Sequence, residues 1–297
     1  MESKLLTPEF LQQLERLSAT AKRPFPGRMK GEKRSPRRGS SVEFADYREY
    51  IPGDDLRYVD WKAYARLERL FLKLFVEEED LSIHLVVDAS QSMDYPTEPA
   101  DRPTKFLFAS RVAAALGYVG LIRYDRVGIA GFGQALGRRA PVLRGRNSVP
   151  QFFGYLEEMK PGGTTDFTAA LRHYAMRHSQ PGICVVLSDF MDPQWEQGVR
   201  SLLAARFQIV LLHILDPDEA EPKLAGDLRL VDSETGEARE ISISPEMLAA
   251  YREAFERFCG QLSEVAARYG MDYVRVTTDT PLDDLLLRTL RATGLLR

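Results

Sequence analysis

The chain has 297 residues and is 44% hydrophobic, enough to pack one large domain or two smaller ones. Its 40 basic and 43 acidic residues leave a net charge of -3, so nothing in the total predicts binding to nucleic acid or to a membrane. Two cysteines, Cys184 and Cys259, are too few for a disulfide framework; with Cys184 inside the apolar run Ile183-Cys184-Val185-Val186-Leu187, a reduced thiol in a reducing cytoplasm is expected.

The N-terminus, Met1-Glu2-Ser3-Lys4, lacks the apolar stretch of a signal peptide, and no run approaches the roughly 20 residues of a membrane span, so a soluble, cytoplasmic chain is expected. Leu11, Leu14 and Leu17 recur at helical spacing within residues 1–20, with Thr7 and Pro8 as N-cap and first helical residue. Between Ala21 and Ser40, eight basic residues from Lys22 to Arg38 lie among Pro, Gly and Ser and predict a loop, either solvated or used for docking. Residues 43–80 are dense in Arg, Asp and aromatic groups, which predicts a satisfied, buried polar network. Beyond residue 80, strands are predicted near 82–88, 126–132, 140–144, 183–188, 207–214 and 272–277. Helices are predicted near 104–122, 148–159, 167–178, 194–205, 246–268 and 281–293, and a hairpin between 226 and 243. That alternation argues for an α/β fold, a mainly parallel sheet with helices on both faces.

The run Ile83-His84-Leu85-Val86-Val87 ends in Asp88-Ala89-Ser90-Gln91-Ser92, which delivers a carboxylate and two hydroxyls to one strand end. Hard oxygen donors of that kind suit Mg²⁺ or Mn²⁺ better than zinc or copper. In open α/β sheets, sites gather beyond the carboxyl ends of strands. Two further loops belong there: Pro161-Gly162-Gly163-Thr164-Thr165-Asp166 and Ser188-Asp189-Phe190. The competing reading of Asp88, Ser90 and Ser92 is a capped strand-to-helix turn.

Asp88-x-Ser90-x-Ser92, the Gly-Gly-Thr loop and the strand-ending Asp189 resemble the metal-ion-dependent adhesion site of von Willebrand factor A domains. In that pattern the Thr stands six residues before the Leu of an Ala-Leu pair, which Thr165 satisfies with Ala170-Leu171. The resemblance implies Mg²⁺, or Mn²⁺, held by Ser90, Ser92 and Thr165, with Asp88 and Asp189 acting directly or through waters. It also implies a Rossmann-like von Willebrand factor A fold over residues 81–297, preceded by an extension over 1–80. Upstream, Glu43-Phe44, Arg48-x-Tyr50-x-Pro52-Gly53-Asp54-Asp55-x-Arg57, Asp60-Trp61 and Ala65-Arg66 are similar to the domain-of-unknown-function 58 family. That resemblance implies a bacterial protein partnered with a MoxR-type AAA+ ATPase, in protein or metal-centre maturation. Some members of the family carry N-terminal membrane helices, which this chain does not show.

Enzyme readings fare less well. A haloacid dehalogenase-type phosphatase would carry a second Asp where Ser90 stands, and no Gly-x-Ser-x-Gly elbow occurs. The Gly-Gly-Thr-Thr loop lacks the Lys of a P-loop, and His84, His173, His178 and His213 show no close metal spacing. His84 and His213 fall within strand-like runs and read as core or face residues. The expected function is therefore a non-enzymatic, metal-dependent interaction module that takes a carboxylate from a partner protein. A Mg²⁺-dependent hydrolase using the same pocket is the alternative.

Overall fold

Every residue of Ser82-Ile83-His84-Leu85-Val86-Val87-Asp88 is buried, and so is every residue of Ile183-Cys184-Val185-Val186-Leu187-Ser188. Strands that are apolar on both faces require a layer of helices on each side. The computed structural model supplies them, describing residues 5–17, 19, 42–52, 54, 56–77, 81–96, 102–133, 136–139, 141–178, 180–224, 226–231 and 238–296. In chain order the elements are α1 (Pro8–Leu14), β1 (Val42–Glu49), α2 (Trp61–Leu67), β2 (Phe71–Glu77), β3 (Ser82–Asp88), α3 (Lys105–Ile122), β4 (Arg126–Phe132), β5 (Leu136–Arg139), β6 (Leu143–Arg144), α4 (Val149–Glu158), α5 (Phe167–Arg177), β7 (Ile183–Ser188), α6 (Trp195–Ala204), β8 (Gln208–Leu215), α7 (Pro217–Ala220), β9 (Gly226–Val231), β10 (Ala238–Ile243), α8 (Pro245–Tyr269), β11 (Asp272–Thr277) and α9 (Leu290–Ala292).

The central sheet has the order β11-β8-β7-β3-β4-β5, with β6 also paired to β4. The four pairs from β11 to β4 are parallel; β5 and β6 run antiparallel to β4. Alternate strand residues feed two cores. Leu85, Val87, Val185 and Leu187 pack with α1, α3, α4 and the C-terminal segment. Val86, Cys184 and Val186 pack with α5, α6 and α8 on the other face. Helix α3 is apolar all round and mostly buried, as a central helix must be. It is also the one helix among the described residues long and apolar enough to cross a membrane by length and composition, where no run of that length is expected from the sequence. Both cysteines are free and buried.

Three elements differ from expectation. Of the predicted strand at 140–144, the described residues form only β6, Leu143–Arg144, and β5 lies ahead of it at Leu136–Arg139, where no strand is expected. The predicted C-terminal helix is a π-helical stretch, Asp284–Thr289, running into the short α9. Helix α1 carries the expected Thr7 cap, and Leu14 at its end and Leu17 just beyond it enter the main core, so these described N-terminal residues belong to one compact unit with Leu81–Arg297. The second unit spans residues 26–80. Amphipathicity shows that α1 needs a partner, but not which one.

In that second unit, β1 and β2 pair antiparallel, with α2 between them in sequence. Asp60 caps α2 through the backbone N–H of Lys62 (2.9 Å) and of Ala63 (3.2 Å), and accepts the Tyr47 hydroxyl at 2.9 Å. Asp54 accepts from Arg48 Nη2 at 2.8 Å and from the Ile51 N–H at 2.9 Å. Asp54 and Asp60 are thus satisfied, but burial among the described residues is partial: Val59, Asp60 and Leu72 are buried, whereas Trp61 is 58% and Leu67 60% exposed. A two-stranded sheet with one short helix is too thin to enclose them. The basic loop from Lys22 to Arg38, with Gly53 and Asp55, lies outside the described residues.

Two tests of the core follow from its geometry. A Cβ on Gly182 would lie 2.0 Å from the backbone oxygen of Ser82, so Gly182→Ala forces β3 and β7 apart. Urea unfolding should show a loss of about 3 kcal/mol. His84 is buried with Nδ1 2.9 Å from the Tyr174 hydroxyl; burial, and then the charge of His178, lower its pKa from 6.5 to about 3. Between those values the unfolded chain takes up a proton that the native state refuses, so stability falls as pH drops below 6.5. Between pH 7 and pH 5 the wild type should lose about 2 kcal/mol more than His84→Gln, measured by urea unfolding at both values.

Candidate functional site at the carboxyl ends of the central strands

The chain leaves β3 through α3 to β4 on one side, and later enters β7 on the other, so the strand order reverses between β3 and β7. Such a reversal leaves a crevice at the carboxyl ends of the two strands. Asp88 ends β3 and Ser188 ends β7, with Asp189 next in sequence. The Ser188 hydroxyl donates to Asp88 Oδ2 at 2.6 Å, and the Ser90 N–H donates to Oδ1 at 3.0 Å. Ser90 and Ser92 stand on the loop that follows, their Oγ atoms 2.9 Å apart. Asp88, Ser90 and Asp189 are buried; Ser92 is partly exposed.

The Gly-rich loop is fastened to this one by backbone. Gly162 N–H donates to the Ala89 carbonyl at 2.9 Å, and Gln91 N–H to the Gly163 carbonyl at 2.9 Å. Gly163 has φ of 75°, a left-handed conformation that glycine adopts without strain. Thr165 follows, partly buried, directly before Asp166, whose carboxylate caps α5 through the Ala169 N–H at 2.8 Å. The third loop is held by its own side chains: Ser188 Oγ accepts from the Phe190 N–H at 2.9 Å, and Asp189 Oδ1 from the Met191 N–H at 3.2 Å. Phe190 is buried with φ of 54°, strain that an aromatic residue tolerates only where its surroundings fix it. All three predicted loops therefore meet, and Asp88, Ser90, Ser92 and Asp189 share the crevice with Thr165 on the adjoining loop.

Burial, followed by the neighbouring charge of Asp189, pushes the Asp88 carboxyl up to about 7, against the bonds from Ser188 and Ser90 that lower it. One buried cation faces these groups. Lys105, 1% exposed at the start of α3, donates from Nζ to Asp189 Oδ2 at 2.8 Å and to Glu219 Oε1 at 2.5 Å. Burial draws its pKa down, but Asp189 and Glu219 more than offset that, and the ammonium form is favoured. Glu219 belongs to a capping box on α7, whose Asp216 receives Nε and Nη2 of Arg102 at 2.7 and 2.8 Å. Arg102 also pairs with Asp218.

Oxygen donors of this kind are those that hard cations accept, partly from protein and partly from water. The Ser90 and Ser92 hydroxyls are hydrogen-bonded to each other at 2.9 Å, which is also about the separation of adjacent oxygens in an Mg²⁺ octahedron. No cluster of three or more His, Cys, Asp or Glu that could hold a metal gathers among the described residues, so an ion here would rest on Ser90, Ser92, Thr165 and the two aspartates.

Ser188, Lys105 and Glu219 carry no role in the sequence reading. Ser188 has a signal, a hydroxyl at the last position of a buried strand beside Asp189. For Lys105 the signal is weaker: a cation in the first turn of a helix opposes the helix dipole and wants a local reason. Glu219 is flagged only as the third residue after Asp216, a capping-box spacing.

Among curated proteins, the uncharacterized protein Rv1480 of Mycobacterium tuberculosis is 28% identical over 288 residues, covering 96% of this chain and 86% of that protein. The uncharacterized protein Mb1516 of Mycobacterium bovis matches to the same extent. Among solved structures, the conserved hypothetical protein BatB from Bacteroides thetaiotaomicron aligns at 15% identity with a TM-score of 0.45, over 72% of this chain and 98% of that one. An aerotolerance-related membrane protein from Bacteroides fragilis aligns at 18% identity with a TM-score of 0.41, over 66% and 91%. Residues 46–261, well over half of the sequence, match the family described as "Protein of unknown function DUF58", and the chain belongs to that family.

Proposed function

We propose that this protein is a non-enzymatic, metal-dependent interaction module of the von Willebrand factor A type, adapting a MoxR-type AAA+ ATPase to its work in protein or metal-centre maturation. The observation that carries the reading is the paired Ser90 and Ser92 hydroxyls, 2.9 Å apart beside a carboxylate at the strand reversal. Mg²⁺, or Mn²⁺, would be held by Ser90, Ser92 and Thr165, with Asp88 and Asp189 supplying charge directly or through water. When bound, the ion offers an open position to a partner's Asp or Glu and makes that bond strong and directional.

This chain's residues do the positioning. Ser188 and the Ser90 N–H orient Asp88 toward the loop that carries both serines. The backbone bonds from Ala89 and Gln91 fasten the Gly-rich loop, which carries Thr165, to the loop that carries both serines. Hydroxyl ligands add no negative charge, so the ion keeps a field with which to attract a carboxylate. The MoxR partnership rests on the family resemblance, and a cytoplasmic location goes with it.

Calorimetric titration of Mg²⁺ should show one site in the wild type, none in Asp88→Ala, and at least tenfold weaker binding in Ser92→Ala, which leaves the buried aspartate in place. Equal binding by wild type and Asp88→Ala would sink the metal site. A MoxR-type ATPase should be retained on the immobilised protein with Mg²⁺ and released by EDTA. Phosphoester turnover by the wild type, lost in Asp189→Ala, would replace the adaptor reading with a hydrolase.

A further inference from the structure

We propose that Lys105 is a built-in cation of the Asp88–Asp189 crevice that sets how tightly the site takes a divalent ion. The inference rests on the metal reading above and goes beyond it, because Lys105 lies outside the resemblance that suggested the ligands.

The placement of Lys105 is costly. It is the first residue of α3, where the helix dipole disfavours positive charge, and it is 1% exposed, where an ammonium loses its hydration. Two carboxylates offset that cost, Asp189 at 2.8 Å and Glu219 at 2.5 Å. The Thr104 hydroxyl caps α3 through the Leu107 N–H at 3.1 Å, so the helix start does not depend on Lys105.

The consequence falls on Asp189. Its Oδ2 is held by Lys105 and its Oδ1 by the Met191 N–H, so neither oxygen is bare. A divalent ion in the crevice must share Asp189 with an ammonium already inside the protein. Glu219 acts in the opposite sense by drawing the ammonium away from Asp189. It is itself fixed, since its Oε2 accepts the Asp216 N–H at 2.8 Å and Arg102 clamps Asp216. Lys105 is therefore a positioning residue that acts on the ion through Asp189, and Glu219 sets the strength of that action. The site would exchange its ion readily instead of keeping it as a permanent part of the fold.

The test is calorimetric titration of Mg²⁺ into wild type, Lys105→Met, Glu219→Gln, Asp189→Asn and the Lys105→Met/Asp189→Asn double variant. Lys105→Met should tighten binding on the order of tenfold. Glu219→Gln keeps an acceptor for the Asp216 N–H and should weaken binding severalfold. If Lys105 acts through Asp189, Lys105→Met should have little effect in the Asp189→Asn background, an outcome that simple loss of packing would not produce. Wild-type binding that is unchanged or weaker in Lys105→Met overturns the inference and leaves the metal site standing. Should Lys105→Met fail to fold, unchanged binding in Glu219→Gln overturns it equally. No binding in any variant, wild type included, removes the metal site itself and the inference with it.

Discussion

The hydroxyl of Ser188 reaches Oδ2 of Asp88 over 2.6 Å, joining the carboxyl ends of two parallel strands where the strand order reverses. Both residues are almost fully buried, so this bond is not exchanged with water, and its loss would strip a buried carboxylate of one of its donors. The rest of the crevice is built outward from it. Asp88 turns the chain toward Ser90 by accepting that residue's N–H, and Ser188 turns the other strand by accepting the N–H of Phe190. One hydroxyl therefore serves two loops, as donor to the first and acceptor in the second.

That bond depends in turn on the register of the sheet. Val87 stands opposite Leu187 in the parallel pair, so the next residues, Asp88 and Ser188, emerge side by side. The register is held by two apolar faces. Slipping β3 by a residue would move Val86 into the layer of α3 and α4 and Leu85 into that of α5 and α6, and slipping β7 would do the same to Val186 and Leu187. The core thus specifies the site without touching it, and Gly182 shows how little slack remains, since a single added carbon would meet the Ser82 carbonyl at 2.0 Å.

The scaffold was readable because its signals are local. Seven-residue apolar strands, the helical spacing between them, and Asp88-Ala89-Ser90-Gln91-Ser92 at a strand end are all properties of contiguous sequence, and the structure brings the three loops together as their positions suggest. What was not readable depends on distant partners. Lys105 looks like an ordinary exposed lysine after a Thr cap until Glu219, 114 residues away, closes over it. Trp61 looked buried because it lies among groups that could satisfy one another, yet satisfaction within a thin hairpin unit does not provide cover. The C-terminal helix had the right apolar spacing, but periodicity does not separate an α-helical turn from a π-helical one.

The way the carboxylates are satisfied bears on what kind of site this is. Asp88 accepts from Ser90 and Ser188, and Asp189 from Met191 and Lys105, so all four oxygens have donors within the protein. The loops are accordingly tied by internal bonds. A structural metal site is usually the reverse, with ligands that repel one another until the ion arrives. On the proposed reading, the ion enters a site already formed, and little ordering has to be supplied when it binds or when a partner's carboxylate follows. On the same reading the arrangement suits reversible association: the protein's own cation, Lys105, would limit how firmly the ion is held, while the buried bond between Ser188 and Asp88 would keep the geometry ready for the next encounter.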